Sequence, residues 1–130
     1  TELLHERNFG DLRGQAYDGL GFDPMTMPEA PPGGESIAAF EDRVARAFAL
    51  LVEHRAALPG PLVVVTHGLV IRAMLAGPLA LGAARLAGLH IGNTALTVLD
   101  AQAPYAVHEL NSTRHLDPGV QDDPRGLVGG

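Results

Sequence analysis

The chain has 130 residues, 46% of them apolar, and a formal net charge of −6. That is one domain's length, enough to bury a real core, and the acidic balance argues against general nucleic-acid binding. It has no cysteine, and all nine basic residues are arginine, which excludes disulfides, thiolate metal sites and lysine Schiff-base or Walker-type chemistry within it.

No apolar run approaches the ~18–20 residues of a membrane span, and Thr1-Glu-Leu-Leu-His-Glu-Arg7 lacks the basic-then-apolar design of a signal peptide. The expectation is a soluble, cytoplasmic protein with no membrane or nucleic-acid partner. Thr1 to Leu4 is too short to assign. His5 to Gly14 reads as a polar loop with glycine turns at 10 and 14, and Gln15 to Leu20 has room for one helical turn. Gly21 to Gly34 carries four prolines, so it reads as irregular structure, a flap over a site.

Ser36 is a good helix N-cap. Ile37, Phe40, Val44, Phe48 and Leu51 then recur at steps of three and four, giving an amphipathic helix to about Ala57. Phe40 and Phe48 are core residues on this reading, not a ligand-stacking pair. Pro59-Gly60-Pro61 ends the helix. Leu62 to Val65 is an unbroken apolar run, which reads as a strand buried on both faces of a mainly parallel sheet. Leu69 to Leu75 follow as a buried helix, closed by Gly77-Pro78.

His67 therefore falls between a strand's carboxyl end and a helix's amino end. Open α/β sheets place ligands there, and the free N–H groups and helix dipole favour an anion. An ordinary βα-turn histidine accounts for the position equally well. Beyond it, Leu79 to Leu89 reads as a short packed helix. Thr94 to Leu99 and Tyr105 to Leu110 read as an antiparallel hairpin or edge pair. Asp117 to Gly130 lacks an apolar pattern and reads as a disordered tail.

Glu6-Arg7 pairs a candidate proton donor with a fork-shaped anion ligand. No His-x-x-x-His or carboxylate cluster suggests a metal, and no Gly-x-Ser-x-Gly elbow suggests a triad; neither metal nor cofactor is expected.

Four segments occur in order: Glu6-Arg-Asn-Phe-Gly-Asp-Leu-Arg-Gly14, Pro32-Gly-Gly-Glu-Ser36 heading a helix with Phe40 and Arg43-Val44, Val64-Val-Thr-His-Gly-Leu-Val-Ile-Arg72, and Asn93-Thr-Ala-Leu96, with an echo in Asn111-Ser-Thr-Arg-His-Leu116. Together they make residues 1–116 resemble the histidine phosphatase superfamily, the phosphoglycerate mutase-like enzymes. The resemblance implies a three-layer α/β/α fold on a mostly parallel sheet with an antiparallel edge strand. It also implies phosphomonoester hydrolysis through a phosphohistidine, with a small phosphorylated metabolite or inorganic phosphate as ligand.

By match, His67 binds the phosphoryl oxygens, Glu6 protonates the leaving oxygen, Arg7 contacts phosphate or substrate and Gly68 is a backbone donor. Glu35 and Ser36 match the segment lining the entrance. The family's Arg-His-Gly strand, which carries the nucleophile and precedes the Glu-Arg segment, has no counterpart here; Arg114-His115 is followed by Leu116. The expectation is the carboxyl-terminal two-thirds of such a domain, its sheet incomplete, with a homodimer by strand exchange as one way to close it. The alternatives are a non-catalytic phosphate-binding or interaction domain of the same origin and, second, a phosphoglycerate mutase.

Overall fold

A computed structural model describes residues 1–16 and 19–116. The expected tail at 117–130 and part of the expected turn at 15–20 lie outside the described residues. The elements run from a 3-10 turn at Glu2–Leu4 and another at Gly10–Leu12 to α1 (Ile37–Ala56), α2 (Gly68–Ala76) and the short α3 (Ala83–Leu86). Strands β1 (Leu96–Leu99) and β2 (Val107–Ser112) follow.

Helix α1 begins where its cap chemistry requires. The Ser36 hydroxyl accepts the Ala39 amide at 3.1 Å, satisfying one of the donors that a helix start leaves free. Phe40, Val44 and Ala47 are buried against Val70 and Met74 of α2, so the three-and-four periodicity does mark the core face. A second cluster forms where Leu75 of α2 meets Leu86 and Ile91. Arg72 stitches the two together, donating to the Leu89 carbonyl at 2.7 Å and the Leu86 carbonyl at 3.1 Å. Phe48 packs edge-on against Tyr105, with ring centroids 5.2 Å apart.

The hairpin forms as expected, but β1 begins two residues later and β2 lies two residues further along at both ends. β1 and β2 pair antiparallel, with Leu96 opposite Ser112 and Leu99 opposite Val107, and the register slips between those pairs. Of the apolar stretch Leu79 to Leu89, only Ala83–Leu86 is helical.

The Leu62–Val65 run departs from its expectation. Residues 61–67 form neither helix nor strand, and among the described residues the sheet consists of β1 and β2 alone. Val63 is 79% exposed and Val65 88%. An apolar run records a need for burial, but a strand exists only when a second backbone meets its hydrogen-bonding groups. The described residues therefore make a small α/β fold with a two-stranded antiparallel sheet, not the mainly parallel sheet that the run suggested. No helix among them is long and apolar enough to cross a membrane.

Candidate active site

The 61–67 run does hold one anchor. Thr66 donates its hydroxyl proton to the Leu4 carbonyl at 2.7 Å, which brings the loop after Leu4 beside the start of α2. Between them opens a cleft of about 1150 Å³, lined by His5, Glu6, Arg7, His67 and Gly68 among others. Val63–Val65 and Ala95–Leu96 also line it.

Glu6 is held at the amino end of α2. One carboxylate oxygen accepts the Leu69 amide at 3.1 Å, across 63 residues of sequence, and the other accepts the Arg7 amide at 2.9 Å. A carboxylate there satisfies a free helix N–H and sits at the positive end of the dipole. His67 is the N-cap residue, in extended conformation, but its own side chain makes no capping bond. The ring is exposed and lines the cleft. Gly68 opens the helix beside it. Thus three of the residues singled out in sequence meet at one helix end.

Arg7 takes a different posture from a phosphate ligand facing solvent. It is 4% exposed, and its guanidinium donates to the carbonyls of Pro24, Met25, Met27 and Glu35 at 2.8–3.4 Å. It also lies 5.1 Å over the Phe9 ring. Burial lowers its pKa, and the nearby Glu35 charge opposes that shift. In this arrangement Arg7 ties the 24–27 stretch to the cleft floor; Pro24 and Met25 line the cleft, as a flap over a site does.

Glu35 and Ser36 are outside the cleft lining. Ser36 is occupied in capping α1. The Glu35 carboxylate pairs with Arg43 at 2.5 and 3.2 Å and accepts the Asn8 amide at 2.8 Å. Burial pushes its pKa up, but the Arg43 bond, the Asn8 amide and the charges of Arg43 and Arg7 outweigh burial and hold it below the ordinary value. The expected entrance residues thus brace the framework, because an acidic side chain beside a buried guanidinium is worth more paired than solvated.

The loops those residues brace are in tight contact. Gly10 has φ +51°, and a Cβ there would come within 2.0 Å of the Pro32 carbonyl oxygen, so only glycine lets the two loops cross. Residue-level reading passed over Arg43, although a signal existed. It flanks the apolar stripe of Phe40, Val44 and Ala47, and a charge on a buried face requires partners. His5 and Arg13 also line the cleft; neither carries a local pattern that would have marked it.

The Glu6 carboxylate and the His67 ring thus share one helix amino end, where free N–H groups and the helix dipole favour negative charge. The family model of the histidine phosphatase superfamily (branch 1) matches residues 1–112. The chain belongs to that superfamily. No curated protein and no solved structure matches it.

Proposed function

We propose that this chain supplies the acid and phosphoryl-binding half of a phosphomonoester hydrolase that works through a phosphohistidine. The observation that supports the reading is the bond from the Leu69 amide to the Glu6 carboxylate, which holds that carboxyl group at the amino end of the helix that His67 caps and Gly68 opens. In the first step a nucleophilic histidine nitrogen bonds to phosphorus as the ester P–O bond breaks. Glu6, protonated, gives its proton to the leaving oxygen. His67 and the Gly68 amide hold the phosphoryl oxygens and offset their charge. In the second step water attacks phosphorus, Glu6 takes the water's proton, the N–P bond breaks, and phosphate leaves.

The nucleophile is assigned to a segment outside the 130 residues, none of which form an Arg-His-Gly triplet. Its proposed seat lies along the apolar part of the cleft lining. Val63, Val65 and Leu96 line the cleft, are apolar, and are 79%, 88% and 49% exposed. Among the described residues β1 pairs only with β2. A strand laid between β1 and Val63–Val65 would extend the sheet toward the three-layer, mostly parallel arrangement. Arg7 is given the role of shaping the cleft floor, and the substrate is a small phosphorylated metabolite.

The absence of that triplet also favours a second reading, phosphate binding without turnover. Both are tested in a protein that contains the chain together with a histidine-bearing strand, comparing alkyl and aryl phosphates. Glu6→Gln slows alkyl phosphates about 100-fold, the lower end of general-acid effects, and aryl phosphates far less, because a good leaving group needs little protonation. Equal slowing removes Glu6 from the acid role. Phosphate binding with no turnover of either substrate supports the second reading.

A further inference from the structure

Arg43 is outside the cleft, yet every donor of its guanidinium is committed to what lies around the proposed acid. Its Nε and one terminal nitrogen meet the two Glu35 carboxylate oxygens at 3.2 and 2.5 Å. The other terminal nitrogen donates to the carbonyls of Leu3 and His5, both at 2.8 Å. The first also reaches the Glu6 carbonyl at 3.3 Å. The ion pair is largely buried, with side-chain exposures of 16% for Arg43 and 18% for Glu35.

Three of those acceptors are the main chain of one short segment, residues 3–6, which ends at the proposed proton donor. Glu35 fastens the next residues, since its carboxylate accepts the Asn8 amide and its carbonyl accepts the Arg7 guanidinium. α1 is a 20-residue helix packed through Phe40, Val44 and Ala47, so Arg43 is mounted on the longest helix among the described residues. The Phe40 ring lies 5.2 Å from its guanidinium carbon, which further restrains the fork. A planar group with five donors in fixed directions can hold three carbonyls and a carboxylate at once; an ammonium with three donors cannot.

We propose that Arg43 is a positioning residue, which holds the Glu6 backbone at the register that seats the Glu6 carboxylate on the amino end of α2. This rests on the reading of Glu6 as the acid but makes a separate structural claim. The charged and titratable groups around Glu6 are His5, Arg7, Arg13 and His67, which line the cleft with it, and Arg43, which donates to its carbonyl and pairs with Glu35.

The claim is tested by Arg43→Lys, with the Leu69 amide proton followed by NMR as pH is lowered. In the native chain this amide is expected to move with the charge of the carboxylate it donates to, and Glu6→Gln is expected to abolish the response. Arg43→Lys is expected to lower its amplitude by at least half while the Val44 and Val70 methyl signals keep their folded positions. Glu35→Gln, which weakens the guanidinium's orientation but leaves its carbonyl bonds, is expected to give the same change in smaller measure and serves if lysine does not sustain the fold. In a protein that also carries the histidine strand, Arg43→Lys is expected to lower kcat/KM for alkyl phosphates about tenfold more than for aryl phosphates. A full-amplitude Leu69 response in both variants overturns the proposal, and so does equal loss on both substrates from Arg43→Lys when Glu6→Gln is itself selective. If Glu6→Gln itself shows no substrate selectivity while Leu69 behaves as expected, the acid reading fails and the positioning claim stands.

Discussion

The two exposed valines allow the proposed strand seat to be tested by stability alone. Val63 and Val65 are 79% and 88% exposed, so replacing both with serine removes little burial from the chain as it stands. Surface changes of this kind stay within ~0.5 kcal/mol each. If a strand packs between Val63–Val65 and β1, the same side chains become buried. Fully burying a valine is worth about 1.5–3 kcal/mol, so the pair would contribute roughly 2.5–5 kcal/mol, an upper bound because denatured chains already bury part of this surface. The assay is urea unfolding of four proteins: the chain alone, and the chain joined to an extended apolar strand ending in Arg-His-Gly, each with and without Val63→Ser and Val65→Ser. Joining the strand covalently matters, since free association would cost another ~4–15 kcal/mol. The expected result is a near-neutral change in the chain alone and a loss of at least about 2 kcal/mol in the joined protein. Equal losses in the two backgrounds would show that these valines never meet a strand, and the seat would be wrong.

Two further outcomes follow from the geometry. His67→Ala should weaken inorganic phosphate binding at least tenfold, whereas His54→Ala, His90→Ala and His108→Ala should change it less than twofold by calorimetric titration. His54 is exposed near the end of α1, His90 precedes Ile91, and His108 pairs with Asp100 at 2.6 Å on the hairpin, so none of the three lines the cleft. The folded-state pKa of Glu35 is depressed, so its contribution to stability is complete above the unfolded value near 4.3 and is lost as pH falls through the folded one. Glu35→Gln should therefore flatten the acid limb of a melting-temperature profile below about pH 4.5; a limb unchanged by the substitution would show that the Arg43 pairing carries no such linkage.

What was local could be read directly from the residues. The stripe of Phe40, Val44 and Phe48, the Ser36 cap, the turn at Thr66-His67-Gly68 and the hairpin all depend on neighbours within a few positions, where helix and strand periodicities operate. The ordered motifs likewise carried the superfamily. The tertiary structure decided matters in which the partner lies far along the chain. Arg7 reads as an anion ligand until its guanidinium is seen to be enclosed by carbonyls 17 to 28 residues away. Glu35 reads as an entrance residue until Arg43 takes both its oxygens. Leu62 to Val65 reads as a buried strand because its side chains are apolar, but backbone pairing depends on which other segment comes alongside. Side-chain polarity is a property of each residue, whereas a hydrogen-bond partner is assigned only when the chain has folded.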